Sequence, residues 1–215
     1  MNKSYQESIN FSAGPAMLPK DVLLSIQREC LDWYEGMSIY EISHRSKPVL
    51  KMRDELEGLM RELLNVPNDF AVLMMQGGAR AQFCAVPLNL LGTHLKATYL
   101  LTGFWGELAA KACEKYATLE KIDLYQDYAR YHDEIMLHDS AFLHYTDNET
   151  IHGVQFPEIT KVSGGALVSD MTSSILSKPI DWKRLDCVYA SAQKNLGVAG
   201  STYVFIRRNL LGKAH

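Results

Sequence analysis

The sequence predicts an α/β protein with a mainly parallel sheet flanked by helices. From residue 67 onward, short apolar runs alternate with stretches of helical periodicity, which is the pattern of strand–helix–strand units. Several runs are almost continuously apolar, as expected of strands that are covered on both faces. The 215 residues, 47% of them hydrophobic, are enough to bury a substantial core without disulfides or a structural metal.

Two helices are predicted before the sheet. The first begins at Pro19, because proline lacks an N–H that would have no partner in a first helical turn, and its pattern stops at Gly36. The second begins at Pro48 and ends before Pro67. We therefore divide the chain into an N-terminal helical segment, residues 1–66, and an α/β domain, residues 67–215.

Within the α/β domain, strands and helices are predicted in turn. The expected strands are residues 70–75, 97–102, 141–146, 166–169, 187–190 and 202–206, and the expected helices are residues 81–90 and 107–116. Ligands of open sheets bind at the carboxyl ends of the strands. Polar residues that directly follow an apolar run are therefore the candidates for a functional site.

Composition excludes several classes of partner. The formal net charge is −3 and no Lys/Arg-rich run is present, so nucleic acid is not an expected partner. No apolar stretch approaches the ~20 residues that span a bilayer, and the first residues lack a signal-peptide pattern. We expect no membrane partner and a cytoplasmic location. The four cysteines are far apart and lack metal-ligand spacing, which indicates buried thiols in a reducing compartment.

Two charged residues at strand ends indicate chemistry. Lys194 is the only charged residue between Cys187 and Ile206, which makes it a candidate for a lowered pKa and a nucleophilic amine. A lone lysine is, however, more often a surface residue. Asp170 ends another apolar run, where a carboxylate is costly unless it is paired, for example with a cationic ring nitrogen. A helix N-cap or a local turn that involves Thr172 or Ser173 is the alternative explanation.

Three other stretches offer binding groups. A Gly-Gly-Ala-Arg turn, residues 77–80, joins a strand to a helix, where free N–H groups and the helix dipole attract phosphate and Arg80 adds charge. Trp105 follows another strand, and its indole can cover a flat ring. His44 and Arg45 lie in a polar turn and can bind a carboxylate or phosphate. A tight bend, a core aromatic and a solvated turn are the plainer explanations. Together with Lys194 and Asp170, these groups favour pyridoxal phosphate over other common cofactors.

Six segments resemble the phosphoserine aminotransferases, a family with the type I pyridoxal-phosphate fold. They occur in the family's order and extend over nearly the whole chain. The segments are NFSAGPAMLP at 10–19, GMSIYEISHRSK at 36–47, QGGARAQF at 76–83, HYTDNETIHG at 144–153, SDMTSSILS at 169–177 and AQKNLGVAG at 192–200.

The resemblance implies a role for each candidate residue. Lys194 would bond covalently to pyridoxal 5′-phosphate and move a proton at the substrate, while Asp170 would keep the ring nitrogen protonated. Trp105 would stack on the ring, and Thr150 would bond near its phenolic oxygen. His44 and Arg45 would bind the substrate anion. The full set of implied cofactor-binding residues is Ala79, Arg80, Trp105, Thr150, Asp170, Gln193 and Lys194.

The resemblance also implies a reaction and an assembly. The amino group would move between L-glutamate and 3-phosphohydroxypyruvate, giving 2-oxoglutarate and O-phospho-L-serine, in serine biosynthesis and also in pyridoxine biosynthesis. The enzyme would be a homodimer. Family members continue beyond the equivalent of residue 215 into a small C-terminal domain. We therefore expect this chain to be the N-terminal portion, with an incomplete cofactor-binding large domain at residues 67–215.

Two alternatives stay open at the level of sequence. One is a related type I aminotransferase or a desulfurase with a different acceptor. The other is a truncated, non-catalytic protein that binds only the cofactor or a partner. A panel of substrates separates the first alternative from a phosphoserine aminotransferase, because the latter requires a preference for the phosphorylated keto acid.

Overall fold

The structure is a computed structural model that describes residues 8–125, 135–157 and 162–214. Its helices are α1 (Lys20–Glu29), α2 (Lys47–Leu64), α3 (Gly78–Leu90) and α4 (Phe104–Cys113). Its strands are β1 (Phe70–Gln76), β2 (Lys96–Leu101), β3 (Thr118–Asp123), β4 (Ile135–Met136), β5 (Ser140–Thr146), β6 (Asn148–Glu149), β7 (Val154–Gln155), β8 (Val162–Ser163), β9 (Ala166–Asp170), β10 (Cys187–Ser191) and β11 (Ser201–Arg207).

The chain forms two compact units, residues 1–58 and residues 59–215. The division falls inside α2. The predicted boundary between residues 66 and 67 stays a prediction, because compactness alone does not define functional domains. None of the helices in the described ranges has the length and apolar character needed to cross a bilayer.

The first unit holds α1 and most of α2. The sequence pattern predicted that the first helix would continue toward Gly36, which is wrong, because α1 ends at Glu29. A tight turn follows instead, in which Asp32 accepts a hydrogen bond from the Gly36 N–H at 3.0 Å. Glu35 and Gly36 both have left-handed backbone conformations, with φ of 52° and 81°, which no helix accommodates.

The second unit is built on a seven-stranded sheet of order β1-β11-β10-β9-β5-β2-β3. Strand β11 runs antiparallel to both of its neighbours, and every other neighbouring pair is parallel. Six strands therefore point in the same direction. The predicted mainly parallel sheet flanked by helices is confirmed.

Two features of the sheet departed from the simple strand–helix alternation. Only residues 192–200 connect β10 to β11, and this connection is too short for the crossover of a dozen or more residues that a parallel pair requires. Strand β3 was not predicted. It lies at the edge of the sheet beside β2 and is largely exposed, so its sequence lacks a continuous apolar run.

One face of the sheet packs against α3 and α4. These helices contribute Phe83 and Val86 from α3 and the small residues Ala109 and Ala110 from α4 to one buried cluster. Small side chains on α4 allow the helix to lie close to the strands. The strand residues that complete this cluster are Ala71, Ala97, Tyr99, Phe142, Val168, Cys187, Tyr189, Val204 and Ile206.

On the opposite face of the sheet, Trp182 packs against two buried phenylalanine rings. Its ring lies 5.0 Å from the ring of Phe70 and 5.5 Å from that of Phe205, measured between centroids. Its indole N–H donates to the Leu64 carbonyl oxygen at 2.8 Å, which ties the end of α2 to this face. The indole therefore fills an apolar space and also satisfies a carbonyl group at a helix end.

Replacing Trp182 by Phe tests the contribution of its hydrogen bond to Leu64. The variant keeps an aromatic ring but leaves the Leu64 carbonyl without its donor, so we expect the free energy of unfolding to fall by about 1–3 kcal/mol. Urea unfolding followed by circular dichroism measures the change. Trp33→Phe in the first unit is the matched control. Equal unfolding midpoints for the two variants would contradict the role assigned to Trp182.

Candidate active site

A cavity of about 290 Å³ lies at the carboxyl ends of β1, β5, β9 and β10. Its walls come from the turns that follow these strands and from the first turn of α4. Six of the seven residues predicted to bind a cofactor line it, namely Ala79, Arg80, Trp105, Asp170, Gln193 and Lys194. The tertiary structure thus brings together groups that are up to 115 positions apart in the sequence, from Ala79 to Lys194.

One corner of the cavity is the turn from β1 into α3. Gly77 and Gly78 have φ of 93° and 68°, in the left-handed region that glycine tolerates. A Cβ on Gly77 would also lie 2.7 Å from the Cβ of Ala81. Since Gly77 has no side chain to cap α3, the N–H groups of the first turn remain available to an anion beside Arg80.

Gln193 borders the same cavity from the loop after β10. Its side-chain oxygen accepts a hydrogen bond from the Ser191 hydroxyl. That hydroxyl lies beside Gly78, where an added Cβ would be 3.5 Å away, in ordinary contact. The loop after β10 and the turn before α3 therefore lie side by side at this corner.

Asp170 is buried at the end of β9, with 5% of its surface exposed. Its Oδ1 accepts a hydrogen bond from the Thr172 N–H at 2.9 Å, so the local turn considered from the sequence is present. Burial raises the pKa of Asp170 to about 6, while hydrogen bonds from Thr172 and the charge of Lys194 act in the opposite direction. Because Asp170 lines the cavity, its ionised form would be stabilised by a cationic ligand group bound there.

Lys194 is half-buried in the loop between β10 and β11. Burial lowers the pKa of its amine, and the negative charges of Asp170 and Glu149 oppose that shift. Its Nζ donates to Thr150 Oγ1 at 3.4 Å. The loop is anchored by Asn195, whose side-chain N–H donates to the Ile175 carbonyl oxygen at 3.0 Å.

Thr150 is the predicted cofactor residue that does not itself line the cavity. Its hydroxyl oxygen accepts from the Trp105 indole N–H at 3.2 Å and lies 3.4 Å from the Lys194 amine. A single side chain thereby connects the aromatic wall of the cavity with the lysine.

Glu149 was missed by sequence reasoning. It is fully buried, and its two carboxylate oxygens accept hydrogen bonds from the backbone N–H groups of Trp105 and Gly106, at 3.0 and 2.7 Å. Helix α4 begins at Phe104, three residues before the predicted Glu107, because this distant carboxylate caps its first turn. The only signal in the sequence is an acidic residue inside the segment at 144–153 that resembles the family.

A neutral layer lies beneath Asp170 in the sheet. His144 Nε2 is 2.8 Å from the Tyr189 hydroxyl, and the His144 ring lies 4.9 Å from that of Tyr99. Burial lowers the pKa of His144 to about 3 and raises that of Tyr189. Because both groups are neutral near pH 7, this layer places no charge next to Asp170.

His44 and Arg45 belong to the first unit, where both are exposed in the turn before α2. The Arg45 backbone N–H donates to the Ser43 hydroxyl at 3.3 Å, which stabilises the turn. Their assignment to the substrate anion stays a prediction. In the part of the chain that the structure describes, no group of three or more His, Cys, Asp or Glu residues is arranged to hold a metal ion.

Comparison with known proteins places this geometry in a family. The model of the class-V aminotransferases matches residues 8–215. Phosphoserine aminotransferase from Laribacter hongkongensis is 44% identical over 210 residues, which are 95% of this chain and 58% of that protein. The solved phosphoserine aminotransferase from Bacillus circulans subsp. alkalophilus is 38% identical, with a TM-score of 0.86, over 96% of this chain and 59% of that one.

A third relative, a PLP-bound phosphoserine aminotransferase from Trichomonas vaginalis, is 36% identical with a TM-score of 0.83. The similarity extends over 94% of this chain and 58% of that one. This chain belongs to the class-V aminotransferase family. It spans a little under three fifths of the length of the relatives that it matches.

The raised pKa of Asp170 predicts how stability depends on pH. Between the ordinary value of 3.8 and about 6, the unfolded chain releases the proton that the folded chain keeps. This group therefore makes the free energy of unfolding fall as the pH rises through that window. Subtracting the urea-unfolding profile of Asp170→Asn from that of the parent chain isolates the effect.

The control for this prediction is the exposed Asp123→Asn. This variant removes an exposed carboxylate and leaves the buried Asp170 in place. A difference between parent and Asp170→Asn that stays constant from pH 4 to pH 6 would show that Asp170 keeps an ordinary pKa.

Proposed function

We propose that this chain binds pyridoxal 5′-phosphate and serves phosphoserine transamination. The reaction transfers the amino group between L-glutamate and 3-phosphohydroxypyruvate, giving 2-oxoglutarate and O-phospho-L-serine. The observation that carries the proposal is that Lys194 and Asp170 line one cavity walled by Trp105. The names of the relatives at 36–44% identity support the choice of substrates.

The residues of the cavity fit this cofactor. When bound, pyridoxal phosphate supplies a cationic ring that withdraws electrons from the substrate carbon. Asp170 is ionised above its pKa of about 6, so near neutral pH it offers an anionic acceptor to a protonated ring nitrogen. The positive charge of a protonated ring nitrogen would also compensate for the burial that raises the pKa of Asp170.

Lys194 provides the amine of the site. Its lowered pKa increases the fraction of neutral Nζ, which is the form that would condense with an aldehyde carbonyl with loss of water. Once the substrate amine has taken its place, the released Nζ would accept a proton from the substrate Cα. Thr150 orients the amine through the contact at 3.4 Å. Trp105 lies in the wall of the cavity, where its indole would shield a bound aromatic ring from water.

The phosphate group fits the corner between the turn before α3 and Gln193. The first-turn N–H groups of α3, including that of Ala79, are uncapped donors at the positive end of a helix. Arg80 adds a positive charge there, and the Gln193 side-chain N–H group adds a donor.

The remaining assignments belong to the same proposal and rest on resemblance. His44 and Arg45 bind the anionic group of the substrate. The enzyme acts in serine biosynthesis and also in pyridoxine biosynthesis, as a homodimer in the cytoplasm. The proposal concerns the activity of the whole protein. The relatives on which it rests are longer than this chain.

Lys194→Ala tests the covalent role of the lysine. Addition of pyridoxal phosphate to the parent chain should produce a visible absorption band that borohydride reduction traps on Lys194. The variant should lose both the band and the trapped mass, because Lys194 is the only lysine among the described residues that line the cavity. Lys111→Ala removes an exposed lysine of α4 and should leave both unchanged. An unchanged spectrum in Lys194→Ala would contradict the assignment.

Arg45→Ala tests the substrate. The parent protein should use 3-phosphohydroxypyruvate in preference to its unphosphorylated analogue, and the variant should lose about 10-fold or more of that preference, since a charged hydrogen bond contributes about 1.5–3 kcal/mol. Steady-state kinetics on both keto acids measure the ratio of kcat/KM values. Arg53→Ala, on the exposed surface of α2, is the control. Equal ratios in parent and Arg45→Ala would assign the anion to another group.

A further inference from the structure

Glu149 is a buried carboxylate with an unusual set of partners. It is fully buried, yet its two oxygens accept from backbone N–H groups of another element rather than from a lysine or arginine side chain. The partners are the N–H groups of Trp105 and Gly106, 44 and 43 positions away in sequence. The positive end of the α4 dipole stabilises such a charge, and the charged hydrogen bonds are of the strong kind.

The backbone of α4 is shaped around this carboxylate. A Cβ on Gly103 would lie 2.9 Å from Glu149 Cδ and 2.7 Å from His152 Nδ1, which is closer than real contacts allow. A Cβ on Gly106 would lie 3.4 Å from Glu149 Oε1. Gly103 has an extended backbone, with φ of 165°, that any residue adopts. Glycine is therefore favoured there by the space that the Glu149 and His152 side chains occupy and not by the backbone conformation.

The next residue in the chain holds the other end of Trp105. Thr150 Oγ1 accepts from the indole N–H at 3.2 Å, while Glu149 binds the backbone N–H of the same tryptophan at 3.0 Å. Two neighbouring residues thus fix both the backbone and the ring of Trp105. With Trp105 fixed at two points, its indole has one orientation in the cavity wall.

We propose that Glu149 is a positioning residue, which, together with Thr150, clamps Trp105 in the wall of the cofactor cavity. Glu149 does not line that cavity and acts through the first turn of α4. The clamp itself stands on the contacts of Glu149, and only its consequence for cofactor affinity rests on the proposed function.

Hydrogen exchange tests the clamp without any cofactor. Glu149→Gln keeps the shape of the side chain but turns an N–H group toward one of the two backbone donors, so the amides of Trp105 and Gly106 should exchange about 10-fold faster. Glu107→Gln is the matched control, because it removes an exposed carboxylate from the same helical turn. Equal exchange in the two variants would overturn the proposal.

Gly103→Ala provides a second route to the same result. It keeps the carboxylate but places a methyl group where the Glu149 and His152 side chains lie, so we expect it to displace the carboxylate and to accelerate exchange of the same two amides. This variant carries the test if Glu149→Gln lowers the Tm below the temperature of the assay. Unchanged exchange of both amides in a folded Gly103→Ala chain would overturn the clamp.

Cofactor affinity tests whether Glu149 acts through Trp105. Glu149→Gln should raise the Kd for pyridoxal phosphate about 10-fold in the parent chain and less than about 3-fold in a Trp105→Phe background, because the second background lacks the indole to be positioned. A purely structural role would give the same ratio in both backgrounds and would overturn the inference. Absence of binding by the parent chain would refute the proposed function, and the exchange experiment would then decide the clamp.

Discussion

The common direction of six strands is the constraint on which the site depends. Parallel neighbours such as β9 and β10 end at the same edge of a sheet, about 4.8 Å apart. Strand β1 lies beyond the antiparallel β11 but runs in the same direction as β10, so it ends at that edge as well. Asp170 ends β9, and Lys194 follows β10, its neighbour in the sheet. The whole connection from β10 to the antiparallel β11 has nine residues, 192–200, and this short loop keeps Lys194 close to the edge.

Two buried carboxylates near this edge, Glu149 and Asp170, differ in their hydrogen-bond donors. Glu149 has a backbone N–H donor for each oxygen, at 2.7 and 3.0 Å, and these bonds compensate for its removal from water. Asp170 has one backbone donor, Thr172 N–H at 2.9 Å, and its pKa is raised to about 6. The satisfied carboxylate therefore suits a positioning role, whereas the incompletely compensated one suits the binding of a cationic ligand group.

Much of the fold could be predicted because local periodicity reports which face of an element is buried. The apolar runs predicted the buried strands within one or two residues, and the rule that ligands bind at strand ends selected Lys194, Asp170 and the turn before α3. The exposed strand β3 and the early end of α1 were not predicted correctly. In both places the decisive interactions, a single strand neighbour and the Asp32–Gly36 turn, leave little trace in hydrophobic spacing.

The sequence by itself determined the class of fold, the order of its elements and the residue types available for chemistry, because these depend on spacing along the chain. It also contained the six segments that resemble phosphoserine aminotransferases. Only the tertiary structure decided which strand ends meet, how deeply Asp170 is buried and which carboxylate caps α4. The Glu149 contact joins groups 43 and 44 positions apart, and burial is a property of all surrounding atoms. Neither quantity can be read from a local pattern, since both arise when distant segments pack together.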